Sequence, residues 1–369
     1  MKLLFTCLSE SWGGMEMIFL ETAGYMKSKG YDVTVLACRN SRIARESLKE
    51  DMQTLQIKNP GYFAPLLIWK TSRIMLKENF DIIHSHYSKD LWLLVPALNL
   101  SEKKTPLILS KQLGSYIVKK DFLHQILYKR IDKAISISKV ISQNLLDTCP
   151  LESGKIELIH NWTDLKKFDP AKYNRTAARA ELGIKENETV IGMSARFSPG
   201  KGHEEFIIAA KKINKDNLRF MFVGEASRGE QEYADKIKQM VKDYGIEQQT
   251  IFTGYRSDMP EVLNAMDIFA FPSHSEAFGI ALIEAMAMGK PSVATRSDGI
   301  LDIAVDGETS LLFEKQNAED LAEKLNILAE SGELRKRMGK AARLRVENNF
   351  RKEDQLDKII LLYNKLAKN

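Results

Sequence analysis

Apolar and polar positions along the chain fall into two successive series of short apolar runs alternating with amphipathic stretches. In the first, Lys2 to Leu8 reads as a strand, and Gly13-Gly14 opens a helix that runs through Glu16 to Lys29 and ends at Gly30. Tyr31 to Ala37 is the next strand. Pro65 to Glu78 predicts a helix, and Phe80 to His84 a buried strand. Asp90 to Leu98 keeps a helical pattern despite Pro96, Pro106 to Ser110 is strand-like, Phe122 to Ala134 is helical, and Ile135 to Ser138 is a short strand. This alternation predicts an α/β unit with a mostly parallel, doubly wound sheet.

A second series follows. Its strands are Val190 to Ala195, Arg219 to Val223, Thr250 to Phe252, Ile268 to Phe271 and Ser292 to Ala294. Its helices are Glu204 to Ile213, Gln231 to Tyr244, Met259 to Ala265 and Gly279 to Met288. The tail, Glu353 to Leu366, is an amphipathic helix. The two series meet near Ile159-His160-Asn161-Trp162-Thr163-Asp164, which reads as a linker. Two such halves joined by a hinge place a cleft between them, where a two-substrate enzyme would hold its ligands.

Length agrees: 369 residues suffice for two domains with separate cores. Cys7, Cys38 and Cys149 are an odd, scattered set without a C-x-x-C pair, which points to reduced thiols in a cytoplasmic protein. No apolar run approaches ~18 residues, so no membrane span is expected. The start, Met1 to Leu8, has too short an apolar core for a signal peptide, and Ser9 to Gly13 offers no small-residue cleavage site. Net charge is +5, and it is local. Ser101 to Val140 holds nine Lys or Arg against three acids. A local surplus of this kind suits a polyanionic surface or substrate better than nucleic acid.

Candidate chemistry gathers where strands give way to helices. In Ser275-Glu276-Ala277-Phe278-Gly279-Ile280-Ala281-Leu282-Ile283-Glu284, seven residues separate two glutamates. Glu276 falls in a strand-to-helix loop and Glu284 inside the helix, which Gly289 and Pro291 terminate. Open α/β sheets bind ligands at the carboxyl ends of their strands, and a helix N-terminus there offers N–H groups to a phosphate. One carboxylate can then grip sugar hydroxyls and the other a ribose diol. Ser194-Ala195-Arg196-Phe197-Ser198-Pro199-Gly200-Lys201-Gly202 follows another strand, with Arg196 able to fork onto phosphate oxygens and Lys201 adding a point charge. Trp12-Gly13-Gly14-Met15-Glu16, after the first strand, lets a ligand approach the backbone closely.

E-x7-E, R-x4-K-G and G-G-x-E together resemble the retaining glycosyltransferases of family 4 (glycosyltransferase group 1), which have the GT-B fold of two Rossmann-like domains facing across a cleft. The resemblance runs nearly end to end and is tighter in the C-terminal half. It implies an N-terminal acceptor-binding domain over 1–163, onto which helix 352–369 packs back, and a donor-binding domain over 164–351. It implies that Arg196 and Lys201 neutralise the donor diphosphate, that Phe278, Gly279 and Ile280 add backbone N–H groups, and that Glu276 holds the transferred sugar and Glu284 the ribose. Gly13 and Gly14 then touch the donor, and Tyr255 and Arg256 the nucleobase, largely through backbone. Arg196, Lys201 and Glu276 are the implied catalytic residues. Ser297-Asp298-Gly299-Ile300-Leu301-Asp302 departs from the family's G-G-x-x-E at Asp298 and Asp302. The hinge departs from P-N-G-V-D at His160 and Trp162.

His84 and His86 alternate onto one face at a strand end, and nothing nearby in sequence completes a zinc site. The resemblance places His86 toward the acceptor; a buried structural histidine is the other reading. Where the family frequently has a further histidine, strand register gives Gln112, which can hydrogen-bond a sugar but cannot titrate. No D-x-D occurs. With the resemblance, this implies metal-independent transfer without a cofactor, from a nucleoside-diphosphate sugar, UDP-sugar favoured over GDP-sugar, to a glycan or glycolipid hydroxyl in bacterial surface polysaccharide or lipopolysaccharide synthesis. A GT-B nucleotide-sugar epimerase and a non-catalytic sugar-nucleotide or glycan-binding protein are the rival classes. The basic stretch Ser115 to Arg130 interleaves apolar residues with lysines. It fits peripheral contact with the anionic inner face of the cytoplasmic membrane, an ordinary amphipathic helix with solvated lysines, or a groove for an anionic soluble glycan.

Overall fold

The structure, a computed structural model, describes every residue except Arg228 and Asn369. The chain divides into two compact units, one of Met1–Asn161 with the tail from Glu353, the other Trp162–Lys352.

The first unit is built on a seven-stranded parallel sheet in the order β3-β2-β1-β4-β5-β6-β7. Its elements in chain order are β1 (Lys2–Cys7), α1 (Gly14–Ser28), β2 (Asp32–Cys38), α2 (Arg42–Lys49), β3 (Gln53–Ile57), α3 (Pro65–Glu78), β4 (Ile82–Ser85), α4 (Leu91–Ser101), β5 (Leu107–Lys111), α5 (Phe122–Lys129), β6 (Lys133–Ser136), α6 (Lys139–Thr148) and β7 (Ile156–Leu158). The central strands are apolar on both faces because helices cover both, the usual state of a parallel sheet. β1 and β4 pair from Leu3↔Ile82 to Thr6↔Ser85, all eight residues buried.

The second unit holds a six-stranded sheet in the order β10-β9-β8-β11-β12-β13. Its elements are α7 (Arg175–Glu181), β8 (Thr189–Ser194), α8 (His203–Ile213), β9 (Leu218–Val223), α9 (Gln231–Asp243), β10 (Thr250–Gly254), α10 (Met259–Ala265), β11 (Ile268–Phe271), α11 (Ile280–Ala287), β12 (Ser292–Thr295), α12 (Ile300–Ile303), β13 (Ser310–Phe313), α13 (Ala318–Glu330) and α14 (Gly332–Asn349). A core around Phe206, Phe220 and Phe222 packs α8, α9 and α13 on the sheet. The last helix, α15 (Lys352–Leu366), buries Leu356, Ile359, Leu362 and Tyr363 and belongs mostly to the first unit. Tyr363 Oη lies 2.5 Å from His84 Nδ1, and Tyr25 Oη donates to Asp357 Oδ1 at 2.9 Å, fixing α15 to β4 and α1.

The strands that the apolar pattern missed are β3, β7 and β13, each at a sheet edge. β3 and β7 are half-solvated, so they lack the continuous apolar run of a central strand, and β13, though buried, is only four residues long and opens on Ser310. The helix expected to run to Ala134 stops at Lys129. Ile131 and Ala134 are buried, but Asp132 turns the chain by accepting from Leu107 N–H at 2.7 Å, and β6 starts at Lys133.

The amino ends of β8 and β11 are held by a buried ionic cluster. Arg179, almost fully buried on α7, and Arg175 both reach the Asp267 carboxylate, at 3.2 and 2.6 Å, and Val190 N–H donates to it at 2.8 Å. This stiffens the end of the sheet opposite the loops described next.

Candidate functional site

In the second sheet the chain leaves β8 toward β9 and β10 on one side and returns to the other side as β11. The order therefore reverses between β8 and β11, and the crevice beyond the carboxyl ends of two such strands is where open α/β sheets take ligands. Two loops close on that point. Residues 195–202 follow β8 and residues 272–279 follow β11. His274 N–H donates to the Gly200 carbonyl at 2.8 Å, stitching them together. Gly202 makes this approach feasible. Its φ is 80°, and a Cβ there would lie 2.2 Å from the Pro272 carbonyl oxygen. Behind the first loop, Gly224 has a φ of 138°, and a Cβ would lie 2.1 Å from the Ala195 carbonyl oxygen.

These loops join two of the expected residues and carry a third. Lys201 Nζ donates to Glu276 Oε1 at 2.6 Å. Arg196, more than half exposed, extends to Glu230 Oε2 at 3.3 Å. Each cation of the R-x4-K pair thus has a carboxylate partner of its own. α11 begins between the two glutamates of E-x7-E. Its N-cap, Gly279, has a φ of 124°, and no side chain caps the helix, so its first-turn N–H groups lie beside the loop that carries Glu276. Phe278 is buried against Phe350, which holds that turn in place. Glu284 is one turn into α11 and half-buried.

Other expected residues sit differently. Tyr255 is exposed beyond β10, but the Arg256 guanidinium is committed to a local ion-pair pocket, with Nε donating to Asp258 Oδ1 and Nη1 to Glu181 Oε1, each at 2.8 Å. That leaves backbone as the contact it can offer a base. Asp298 has a φ of 48°, the left-handed region that glycine fills at no cost and Asp tolerates, so this departure from G-G-x-x-E keeps the turn.

In the first unit the sheet order reverses between β1 and β4. Gly13 and Gly14 follow β1 at the start of α1, where Ser9 Oγ donates to the buried Glu16 carboxylate at 2.6 Å and fixes the loop. His86 follows β4, almost fully buried. Its backbone N–H donates to the Thr6 carbonyl at 2.9 Å, while neither ring nitrogen has a hydrogen-bond partner. Burial lowers its pKa to about 3, so the imidazole is neutral at physiological pH. His84 is buried beside it, ring centroids 4.4 Å apart, and its nitrogens meet Tyr363 Oη and Ser110 Oγ. Gln112, just past β5, is buried and accepts from Asn161 Nδ2 at 3.0 Å. The residues of the first unit therefore collect at its own switch point.

Sequence reasoning passed over Glu230 and Lys111. Glu230 has no spacing signal, since it reaches Arg196 only through the fold. Lys111 ends β5 buried, and burial, helped by Lys119, pushes its pKa down to about 8. A lysine closing an apolar strand was the available clue. Among the described residues no group of three or more His, Cys, Asp or Glu side chains is arranged to hold a metal ion.

Comparison with known proteins agrees with this architecture in both units. Residues 12–167 match the family described as Glycosyltransferase Family 4, and residues 174–345 match Glycosyl transferases group 1. A D-inositol 3-phosphate glycosyltransferase of Corynebacterium glutamicum (strain R) is 28% identical over 362 residues, 89% of this chain and 86% of the relative. A glycosyltransferase of Rickettsia africae ESF-5 superposes with a TM-score of 0.92 at 24% identity, covering 100% of this chain and 99% of that one. Anabaena HepE in complex with UDP and glucose superposes with a TM-score of 0.84 at 22% identity, covering 99% of each chain. The fold is GT-B, and the chain belongs to the group 1, family 4 glycosyltransferases.

Proposed function

We propose that this enzyme transfers a sugar, with retention of anomeric configuration, from a UDP-sugar to a hydroxyl of a glycan or glycolipid precursor of the bacterial surface. The observation that carries the reading is the contact of Lys201 with Glu276 at the switch point between β8 and β11, with Arg196 on the same loop as Lys201 and the uncapped start of α11 alongside. Two cations and a helix N-terminus at one crevice suit a diphosphate. UDP is favoured as the nucleotide because HepE, which shares the fold, was solved with UDP and glucose and with UDP-glucose. The acceptor class rests on the basic surplus of the first unit and on the lipopolysaccharide glycosyltransferases that share this fold.

In this mechanism the diphosphate displaces Glu230 and Glu276 as the partner of the two cations. Arg196 and Lys201 then stabilise the charge that grows on the leaving group as the glycosidic bond breaks, a preorganised electrostatic role. Glu276, released from Lys201, accepts hydrogen bonds from the hydroxyls of the transferred sugar. Glu284 accepts from the ribose diol. The leaving phosphate oxygen takes the acceptor's proton on the same face, so no side chain is needed as a nucleophile. The first unit with its tail helix carries the acceptor, with Gln112 and His86 beside it, and the second carries the donor through Tyr255, Arg256, Phe278, Gly279 and Ile280 as well.

Product analysis tests the reading. Donor alone should be left unepimerised, and donor with a glycan or lipid-linked acceptor should give a glycoside whose anomeric coupling in proton NMR matches the donor. An inverted product, or a new sugar-nucleotide epimer from donor alone, would overturn it.

A further inference from the structure

The first unit carries an apolar surface that its own core leaves uncovered. Tyr116, Ile117, Phe122 and Phe63 are 100%, 71%, 74% and 85% exposed, and Val118, Leu123, Tyr62, Leu66 and Trp69 are more than half exposed. They come from two segments far apart in sequence. On α3, Leu66, Trp69, Arg73 and Leu76 recur at helical spacing on the outward side, and on α5 Phe122 and Ile126 are followed by Lys129 in the same way. A chain of rings joins the segments. Tyr62 packs edge-on against Trp92 at 5.6 Å, and Trp92 against His124 of α5 at 5.6 Å. The most exposed loop is held at both ends. Ser115 N–H donates to Asn144 Oδ1 at 2.8 Å, and Lys119 N–H donates to the Thr148 carbonyl at 2.6 Å.

Charge decides what covers this surface. Met52 to Lys77 contains no acid at all, and Leu113 to Lys129 contains only Asp121, which caps α5 and pairs with His124. Lys58, Lys70, Lys120 and Lys129 are exposed and join no ion pair among the described residues, and Lys89 lies over the Tyr62 ring at 5.6 Å. Protein–protein interfaces are depleted in lysine, whereas large aromatics interleaved with lysines on exposed helices match the interfacial zone of an anionic bilayer. Lysine stems lie along apolar surface while their heads reach headgroup phosphates.

We infer that α3, α5 and the loops 58–64 and 113–121 together form a docking surface for an anionic lipid bilayer, the rings and aliphatic side chains entering the headgroup–acyl boundary and the lysines meeting lipid phosphates. No helix among the described residues is long and apolar enough to cross a membrane, so the contact is peripheral. It stands apart from the diphosphate assignment, whose charged residues Arg196, Lys201 and Glu276 lie in the other unit.

The test is co-sedimentation of the full chain with vesicles of phosphatidylcholine alone and of phosphatidylcholine with phosphatidylglycerol, over a salt series. Binding to the anionic vesicles should weaken steadily with salt, with a blue shift of tryptophan emission. Lys70→Gln/Lys119→Gln/Lys120→Gln/Lys129→Gln should lower the affinity at least about tenfold. Trp69→Ser/Tyr116→Ser/Phe122→Ser should also lower it at unchanged charge, and both variants should keep wild-type melting and UDP binding, because these side chains are exposed or, at Lys119, only half-buried. Absence of binding to anionic vesicles at low salt would overturn the inference. So would binding untouched by the apolar triple variant, which marks mere adsorption of a basic protein. Lipid-free self-association abolished by that variant would instead mean that a second copy covers the surface. Loss of UDP binding in the wild type would count against the donor assignment and leave this result standing.

Discussion

Lys201→Met separates a catalytic contact from a structural one. Lys201 is tied to Glu276 at 2.6 Å, with side chains 28% and 18% exposed. A partly solvated pair of this kind contributes about 1 kcal/mol or less to stability, so melting should shift by only a few degrees. In the transition state the same ammonium meets charge developing on the leaving diphosphate inside a crevice. Removing one partner of a close charge-assisted contact there costs about 2–5 kcal/mol, a fall in kcat/KM of roughly 30-fold to several thousandfold. The fold should survive, because Gly202 and the Gly200–His274 hydrogen bond shape the loop through backbone. Initial rates of UDP release with a UDP-sugar donor and an acceptor, read beside thermal melts, give both quantities. A kcat/KM within about threefold of wild type, or a rate loss matched by a melting loss of the same free energy, would refute the reasoning.

Glu276→Ala should abolish most transfer while UDP still binds, and Glu284→Ala should weaken UDP itself; equal UDP affinities in the two variants, measured by calorimetry, would contradict the division between sugar and ribose. Transfer should persist in excess EDTA, and complete loss restored by manganese or magnesium would contradict charge neutralisation by Arg196 and Lys201. Burial, reinforced by Arg175, lowers the Lys290 pKa from 10.5 to about 7, so between these values the unfolded chain binds the extra proton and stability rises with pH. In denaturant melts, stability should therefore rise more steeply from pH 7 to 10 in wild type than in Lys290→Met, and equal pH dependences would contradict this.

The fold class was legible because the central strands, such as β1 and β11, are buried on both faces and leave unbroken apolar runs in the sequence. The edge strands were not. β3, Gln-Thr-Leu-Gln-Ile, alternates polar and apolar and pairs on one side only. α13 was readable in principle, since Leu321, Leu325 and Leu328 recur at helical spacing behind an Asn317 cap. Within the site, the loops were visible through glycine and charge at strand ends. The pairing of Arg196 with Glu230 was not, because it depends on where α9 starts relative to β8. Likewise Arg256 reads as a free cation beside Tyr255, and only the packing of α7 and α10 reveals that Glu181 and Asp258 hold it. His86 illustrates a further limit. Its spacing from His84 predicts a shared face, but the burial that keeps its ring neutral comes from Phe5 and Phe19, which reach it through the tertiary fold.

The central claim is that the nucleotide sits on the β8 and β11 loops of the second unit. Calorimetric titration with UDP of the wild type, of Arg196→Ala/Lys201→Ala and of Gln112→Ala tests it most directly. UDP should bind wild type and Gln112→Ala alike and lose at least about a hundredfold in affinity for the double variant. Wild-type affinity in the double variant, or loss of UDP binding in Gln112→Ala, would contradict the account.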